Sequence, residues 1–368
     1  MNKFCFVIHP TSIEDVARYE PGAVGKGLPL IRKILEWMPA YTACHVTGVR
    51  APDGREIEGW FVAAPLLPEQ MLSLPREEVF ARILRAIELG AELGAQIVGL
   101  GAFSGIVGDG GVTIAQRSPL PVTTGNALTI AAGVQSLLRG AQAMQVDLAQ
   151  ATLAVVGATG SIGSACLELL APHVGRVLLV APNLTRLQTL QAQLGPILPP
   201  NSACFTDVHA AVREADVILT ATSSTRELIE PEDLRPGAVV CELSLPHNLG
   251  RRIAELRPDV LVIEGGVMRM PGTPRWERVR EPGRLFDLGL GEGLALACMS
   301  ETMVLTMEGR FEHYTLGRGI SLARVREIST LAERCGFVLG GMRAFDQPVT
   351  QADIDRKRSA AEALRTAV

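Results

Sequence analysis

The chain has 368 residues, 47% of them hydrophobic, with 35 Lys and Arg set against 39 Asp and Glu for a formal net charge of −4. That length supports two or three domains with well-buried cores, and the negative balance excludes a general nucleic-acid binder, because no basic footprint awaits a phosphate backbone. Every apolar run is broken by charge, Gly or Pro before the roughly 18 residues that a membrane span needs. The opening MNKFCFVIHP reads as a first strand and not as a signal peptide. Seven widely spaced cysteines, odd in number and without a Cys-x-x-Cys pair, read as reduced thiols of a cytoplasmic protein with no structural metal.

Residues 1–150 read as a mixed α/β domain. Lys3–Ile8 is a strand, and Thr11-Ser-Ile-Glu14 offers a capping box for a short helix. Leu28–Trp37 is a second helix. Cys44–Val49 and Glu56–Ala63 flank the turn Ala51-Pro-Asp-Gly54 and form a hairpin. Pro75–Leu93 follows as an amphipathic helix, with Val79, Ile83, Leu84 and Ile87 on one side and Arg76, Arg82 and Arg85 on the other. Those arginines read either as solvated residues or as binding residues. Ile97–Gly101 is a strand ending in the loop Gly101-Ala-Phe-Ser104-Gly105, and Thr123-Thr-Gly-Asn126 leads into a helix over Ala127–Met144. Loops at strand ends are where α/β proteins place ligand contacts, so Ser104, Thr123, Thr124 and Asn126 are candidates, though Thr and Asn before a helix are equally ordinary caps.

The stretch Ala151–Cys166 then changes period at glycine. Leu153–Val156 is an apolar, β-branched run for a buried parallel strand, and helical spacing resumes after Gly157-Ala-Thr-Gly160-Ser-Ile-Gly163. A helix that opens there points free backbone N–H groups at an anion, so Gly157, Ala158, Thr159, Gly160, Ser161, Ile162 and Gly163 are candidate pyrophosphate contacts. Alternating strands and helices continue to Gly266, the pattern of a doubly wound parallel sheet. The second strand ends without an acidic residue for a ribose 2′-hydroxyl, while Asn183, Thr185 and Arg186 could take a 2′-phosphate, which favours NADPH. Thr222 and Ser223 after the fourth strand and Gly265-Gly266 after the last complete the candidate cofactor set. A Pro- and Arg-rich loop follows, then a helix over 294–305, one or two helices over Ile320–Cys335 and a charged, frayed tail, Asp353–Val368.

The fold expected is therefore α/β: a Rossmann-like doubly wound parallel sheet with an N-terminal α/β substrate domain (1–150), the nucleotide domain over 151–290 and a C-terminal helical segment over 291–368. Cys298 falls about one turn into a helix, whose positive end would favour a thiolate. It reads either as a nucleophile or as a small packing residue. His247 and His313 are candidate proton donors or structural residues.

Several segments in order resemble one family, the long-chain acyl-acyl carrier protein reductases of cyanobacterial type. They are Pro10-Thr-Ser-Ile-Glu14, Leu67-Pro-Glu-Gln-Met71, Gly99-Leu-Gly-Ala-Phe-Ser104, Thr123-Thr-Gly-Asn126, Val155–Gly160 with Ile162-Gly163, Pro246 with Asn248-Leu-Gly250, Gly265-Gly-Val267, Ala297-Cys298, Glu301 with Met303, Glu308-Gly309, Gly317-Arg318 and Gly336-Phe337. The resemblance implies an NADPH-dependent enzyme that forms fatty aldehydes from carrier-bound acyl groups, with Cys298 as the acylated residue. It also implies an acyl carrier protein (or acyl-CoA) as substrate carrier and an aldehyde-consuming enzyme as a further partner. Ser104, Thr124 and Asn126 are then the residues expected to steady an oxyanion, Arg76, Arg82 and Arg85 those expected to guide an acidic carrier protein, and segments 97–107 and 127–138 the expected walls of an acyl pocket. The sequence departs from the family at Pro182, where the family has arginine, across Met268–Arg284, and in a longer C-terminal tail. Two other functions fit the domain order: a dehydrogenase of the shikimate or methylene-tetrahydrofolate kind with direct hydride transfer, and a non-catalytic NADP-responsive regulator.

Overall fold

The run Phe4-Cys-Phe-Val7 has no polar face, which suits a strand covered on both sides. In the computed structural model, which describes residues 1–366, that run is buried within β1 (Asn2–Ile8). β2 (Tyr41–Arg50) and β3 (Glu56–Ala63) form the expected antiparallel hairpin, and β4 (Ile97–Leu100) and β5 (Val122–Thr123) extend the sheet on the other side of β1. β1 pairs in parallel with β3, from Asn2 opposite Ile57 to Ile8 opposite Ala63, and with β4. Cys5 and Val7 face the helix Arg76–Glu92, which contributes Val79, Phe80, Ile83 and Ile87 to the same core. Each such burial is worth roughly 1.5–3 kcal/mol. Against β4 lies the helix Ala297–Met307, so close that a Cβ added to Gly99 would stand 2.1 Å from the Thr302 hydroxyl.

The sixth strand of this sheet, Gly272–Arg278, pairs antiparallel with β2. The sequence alone suggests a loop over this stretch. An edge strand with Pro274, a register shift between Gly272 and Arg275 and no fully buried position carries no apolar alternation to read. Trp276 nevertheless anchors it, edge-on to Phe61 with ring centroids 4.9 Å apart.

The second sheet holds β6 (Thr152–Val156), β7 (Arg176–Val180), β8 (Ala203–Phe205), β9 (Val217–Thr220), β10 (Val239–Glu242) and β11 (Leu261–Glu264). Their order is β11-β10-β9-β6-β7-β8, with every neighbouring pair parallel. This is the doubly wound, Rossmann-like sheet expected from the sequence. Its strand order reverses between β6 and β9, where such sheets open a crevice at the carboxyl ends of the strands.

Contacts group the chain into two units, Met1–Leu128 with Met268–Val338, and Thr129–Val267 with the segment from Leu339 onward. The sequence division at 150/151 and 290/291 differs because the chain returns to each unit late. Gly272–Arg278 and Ala297–Met307 pack with the first sheet, and the last helix with the second. That helix, Gln351–Thr366, replaces the frayed tail expected over Asp353–Val368, of which the last two residues lie outside the described ones. Thr350 and Asp353 cap it reciprocally, Ile354 and Ala361 are buried, and Arg365 donates to the Pro236 carbonyl.

Candidate active site

The glycine loop of the parallel unit has the form a dinucleotide requires. Gly157 has φ +91°, and a Cβ there would meet the Ala221 carbonyl oxygen at 2.3 Å; one on Gly163 would meet the Gly157 oxygen at the same distance. The N–H groups of Gly157 and Ala158 donate to Val180 O, and that of Gly160 to Gly157 O. The first-turn N–H groups of the helix Ser161–Leu170 are left for an anion, with Thr159, Ser161 and Ile162 partly exposed beside them. The residues present therefore fit a pyrophosphate. After β7, Asn183 caps the helix Leu184–Leu194 by accepting from the Arg186 N–H at 2.9 Å, so its side-chain oxygen is engaged. Thr185 and Arg186 are exposed, and the Arg186 guanidinium has no carboxylate within 4 Å among the described residues.

At the carboxyl ends of β9 and β10 a buried network shapes the same rim. Thr222 donates its hydroxyl to Asn248 Oδ1 (2.6 Å) and its N–H to Ser244 Oγ, while Ser223 is exposed. Glu242 accepts from the Thr220 hydroxyl and the N–H groups of Asn248 and Leu249. Burial raises its pKa, and those donors offset part of the rise. The N–H of Gly265 donates to Glu242 O, and Gly266 follows with φ +82°. Neither Glu242 nor Asn248 was singled out from the sequence as a site residue. Glu242 closes β10 and Asn248 lies in the loop after it, where a lone acid or amide carries no chemical signal in the sequence.

The other unit brings together Cys298 and the loops 101–105 and 123–126. A Cβ on Gly125, whose φ is +74°, would lie 2.2 Å from Cys298 Cα, and one on Gly105 would touch Thr124 at 3.4 Å. Glu301, one turn beyond Cys298 and fully buried, holds the loop in place. Its carboxylate accepts from the hydroxyls of Thr123 (2.5 Å) and Thr315 (2.8 Å) and from the N–H groups of Ala127 and Leu128 at the start of the helix Asn126–Ala143. Desolvation raises its pKa despite these donors. Glu301 is the buried residue of this site to which the sequence alone assigns no role. Its signal was a single acid inside an otherwise uncharged run from Ala295 to Met307.

Cys298 is half-buried. Burial pushes its thiol up to about 12, the nearby Glu301 carboxylate adds to the rise, and the N–H groups of Met299 and Cys298 oppose it. The expected thiolate is thus corrected: two N–H groups at a helix start do not outweigh desolvation of the sulfur. Ser104 donates to Gly101 O (2.6 Å) and Thr124 to Thr315 O (3.0 Å), so both hydroxyl protons are engaged by carbonyls. The half-buried Asn126 amide has no hydrogen-bond partner among the described residues. His9, neutral through burial, accepts from the Phe103 N–H and so holds the loop 101–105. His313 accepts from the Val122 N–H, and His247 lies 3.8 Å from Glu242.

The same unit contains a cavity of about 360 Å³, lined largely by apolar residues including Val16, Tyr19, Leu30, Ile31, Leu35 and Met38. Neither 97–107 nor 127–138 lines it: Val98, Leu100, Phe103 and Val107 are committed to the core instead. Among the expected docking arginines, Arg82 donates to the carbonyls of Leu35 and Glu36, Arg85 pairs with Glu88 and Glu92, and Arg76 is exposed.

The long-chain acyl-[acyl-carrier-protein] reductase of Synechococcus elongatus is 30% identical over 302 residues, covering 78% of this chain and 84% of that protein. The chain belongs to this family. As a long-chain acyl-[acyl-carrier-protein] reductase family member it is an oxidoreductase that uses a nicotinamide cofactor. Residues 139–263 also match the family described as shikimate / quinate 5-dehydrogenase. The aminotransferase PigE of Serratia sp. is 30% identical over 97% of this chain, which spans 41% of that relative's length. L-Tryptophan dehydrogenase from Nostoc punctiforme aligns over 100% of this chain and 89% of its own at 10% identity, with a TM-score of 0.42. Among the described residues no helix is long and apolar enough to cross a membrane.

Proposed function

We propose that the protein reduces a long-chain acyl thioester, carried by acyl carrier protein or coenzyme A, to a fatty aldehyde through an acyl group held on Cys298. The observation that carries this reading is the seating of Cys298 at the start of the helix Ala297–Met307, pressed on the loop Thr123–Asn126. Its sulfur attacks the thioester carbonyl, the carrier's C–S bond breaks, and the proton from Cys298 leaves with the carrier thiol. With a thiol pKa of about 12 the proton departs as the bond forms and not beforehand. Asn126 is the donor we assign to the carbonyl oxygen, with Ser104 and Thr124 fixing the loops around it. The apolar cavity suits an alkyl chain.

NADPH, when bound, would supply a hydride; with that hydride and a solvent proton the acyl group would leave as aldehyde and Cys298 would return to the thiol. Gly157–Gly163 would hold its pyrophosphate, Arg186 and Thr185 its 2′-phosphate, and Thr222, Ser223, Gly265 and Gly266 the remainder. A second reading, direct hydride transfer to a small substrate, is favoured by the dehydrogenase match over residues 139–263. Cys298→Ala separates the two. The acyl-enzyme reading expects turnover of a long-chain acyl thioester to fall by more than about a thousandfold with NADPH affinity kept, and retained turnover overturns it.

A further inference from the structure

The helix Leu28–Trp37 is apolar on two sides. Ile31 and Leu35 pack inward with Val16 and Leu67. Leu30, Ile34 and Trp37, spaced four and three apart on one outward face, are 50%, 48% and 77% exposed, with Val24 and Leu28 exposed just before them. Leu30 and Ile34 also line the 360 Å³ cavity, so the outward face runs continuously into an apolar interior. Around it stand Lys26, Lys33 and Arg280, all exposed and none within 4 Å of a carboxylate among the described residues. Lys33 Nζ lies 5.5 Å from the Trp37 ring centroid, and Arg280 stacks on Tyr41. The acids nearby are Glu20, at the cavity, Glu36, which accepts from Gln70, and Glu281, which follows Arg280 and is paired with Arg278 and Arg284.

We infer that this face lies on an anionic lipid surface, with Leu30, Ile34 and Trp37 entering the interface and Lys26, Lys33 and Arg280 meeting the headgroups. An exposed Trp beside Lys, on a short helix whose charge is mostly basic, is the pattern of a segment lying in the membrane plane. An acidic protein partner would meet the cations but leave the aliphatic face at the cavity mouth uncovered. A bilayer covers both, and it offers an apolar chain a path between cavity and lipid. The surface contact itself needs no turnover, so it goes beyond the reaction proposed above and can fail separately from it.

The test is flotation of the whole protein with vesicles of equimolar phosphatidylglycerol and phosphatidylcholine, alongside vesicles of phosphatidylcholine alone. The protein should float with the anionic vesicles, be released by salt, and lose on the order of tenfold or more in partitioning in Trp37→Ser combined with Lys33→Glu. Cys298→Ala should float like the parent whether or not the reaction proposal holds. No flotation, or flotation indifferent to the double substitution, overturns the inference. So does a double variant that loses affinity for an acidic acyl carrier protein while neither protein floats, which would assign the face to that protein.

Discussion

Replacing Gly125 with alanine probes the joint on which the proposed chemistry rests. An alanine Cβ there would lie 2.2 Å from Cys298 Cα, 2.4 Å from its Cβ and 2.6 Å from its carbonyl oxygen, so the backbone of the buried helix start must move. The left-handed φ of +74° adds about 1–2 kcal/mol for any residue with a Cβ, and overpacking a rigid neighbour adds about 1–3 kcal/mol. The sum, about 2–5 kcal/mol, is a large share of the roughly 5–15 kcal/mol that holds a typical domain. Gly283→Ala is the matched control: its φ is +85° with nothing within 4 Å, so it carries the conformational cost alone. Urea unfolding of both variants should show Gly125→Ala less stable than Gly283→Ala by about 1–3 kcal/mol, and acylation of Cys298 should slow only in the former. Equal costs in the two would refute the close packing of this loop on Cys298.

Other substitutions reach the remaining parts. Gly160 has an ordinary φ, and an added Cβ would meet Gly157 O at 3.2 Å and Ala221 O at 3.7 Å, so Gly160→Ala should fold with little strain yet weaken NADPH binding by about tenfold in a fluorescence titration; an unchanged Kd would remove the loop from the cofactor site. Glu301 and Glu308 should titrate oppositely. The folded pKa of Glu301 is raised, so the stability it contributes is complete below the ordinary carboxylate value and is lost as pH rises through the folded one; Glu301→Gln should gain relative to the parent from pH 4 toward 8 in thermal melts. Glu308, held by Arg55, Arg334 and Cys335, has a lowered pKa, so its contribution is present above the ordinary value and lost as pH falls. Glu308→Gln should therefore cost about 1–3 kcal/mol at neutral pH and little in acid. Alkylation of Cys298 by iodoacetamide should accelerate steadily from pH 7 to 10, given a thiol near 12, and a plateau below pH 8 would contradict that ordering of burial over helix end.

Local signals made much of this fold legible. The helix Leu28–Trp37 and the strand Glu56–Ala63 have the bounds that periodicity and turn residues suggest. The strand–glycine–helix corner was equally plain, because the backbone itself demands Gly157 and Gly163. What escaped was decided at long range. Gly272–Arg278 becomes a strand only because β2 offers an edge about 225 residues earlier. The last helix looked too charged to dock, yet Ile354 and Ala361, two turns apart, suffice to bury one stripe, and the Thr350–Asp353 cap was there to be read. Likewise, hydroxyls are indistinguishable in sequence whether they face a ligand or a carbonyl: Ser104 and Thr124 turned out to hold loops. Glu301 took its importance from Thr123 and Thr315, which sequence spacing does not connect to it.

The central claim is that Cys298 carries the acyl group, and intact-protein mass spectrometry after incubation with a long-chain acyl thioester, without NADPH, tests it most directly. The account predicts one added acyl mass that maps to Cys298, disappears on adding NADPH, and is absent from Cys298→Ala. An unmodified protein that still consumes NADPH with the thioester, or an adduct mapping to another cysteine, would contradict it.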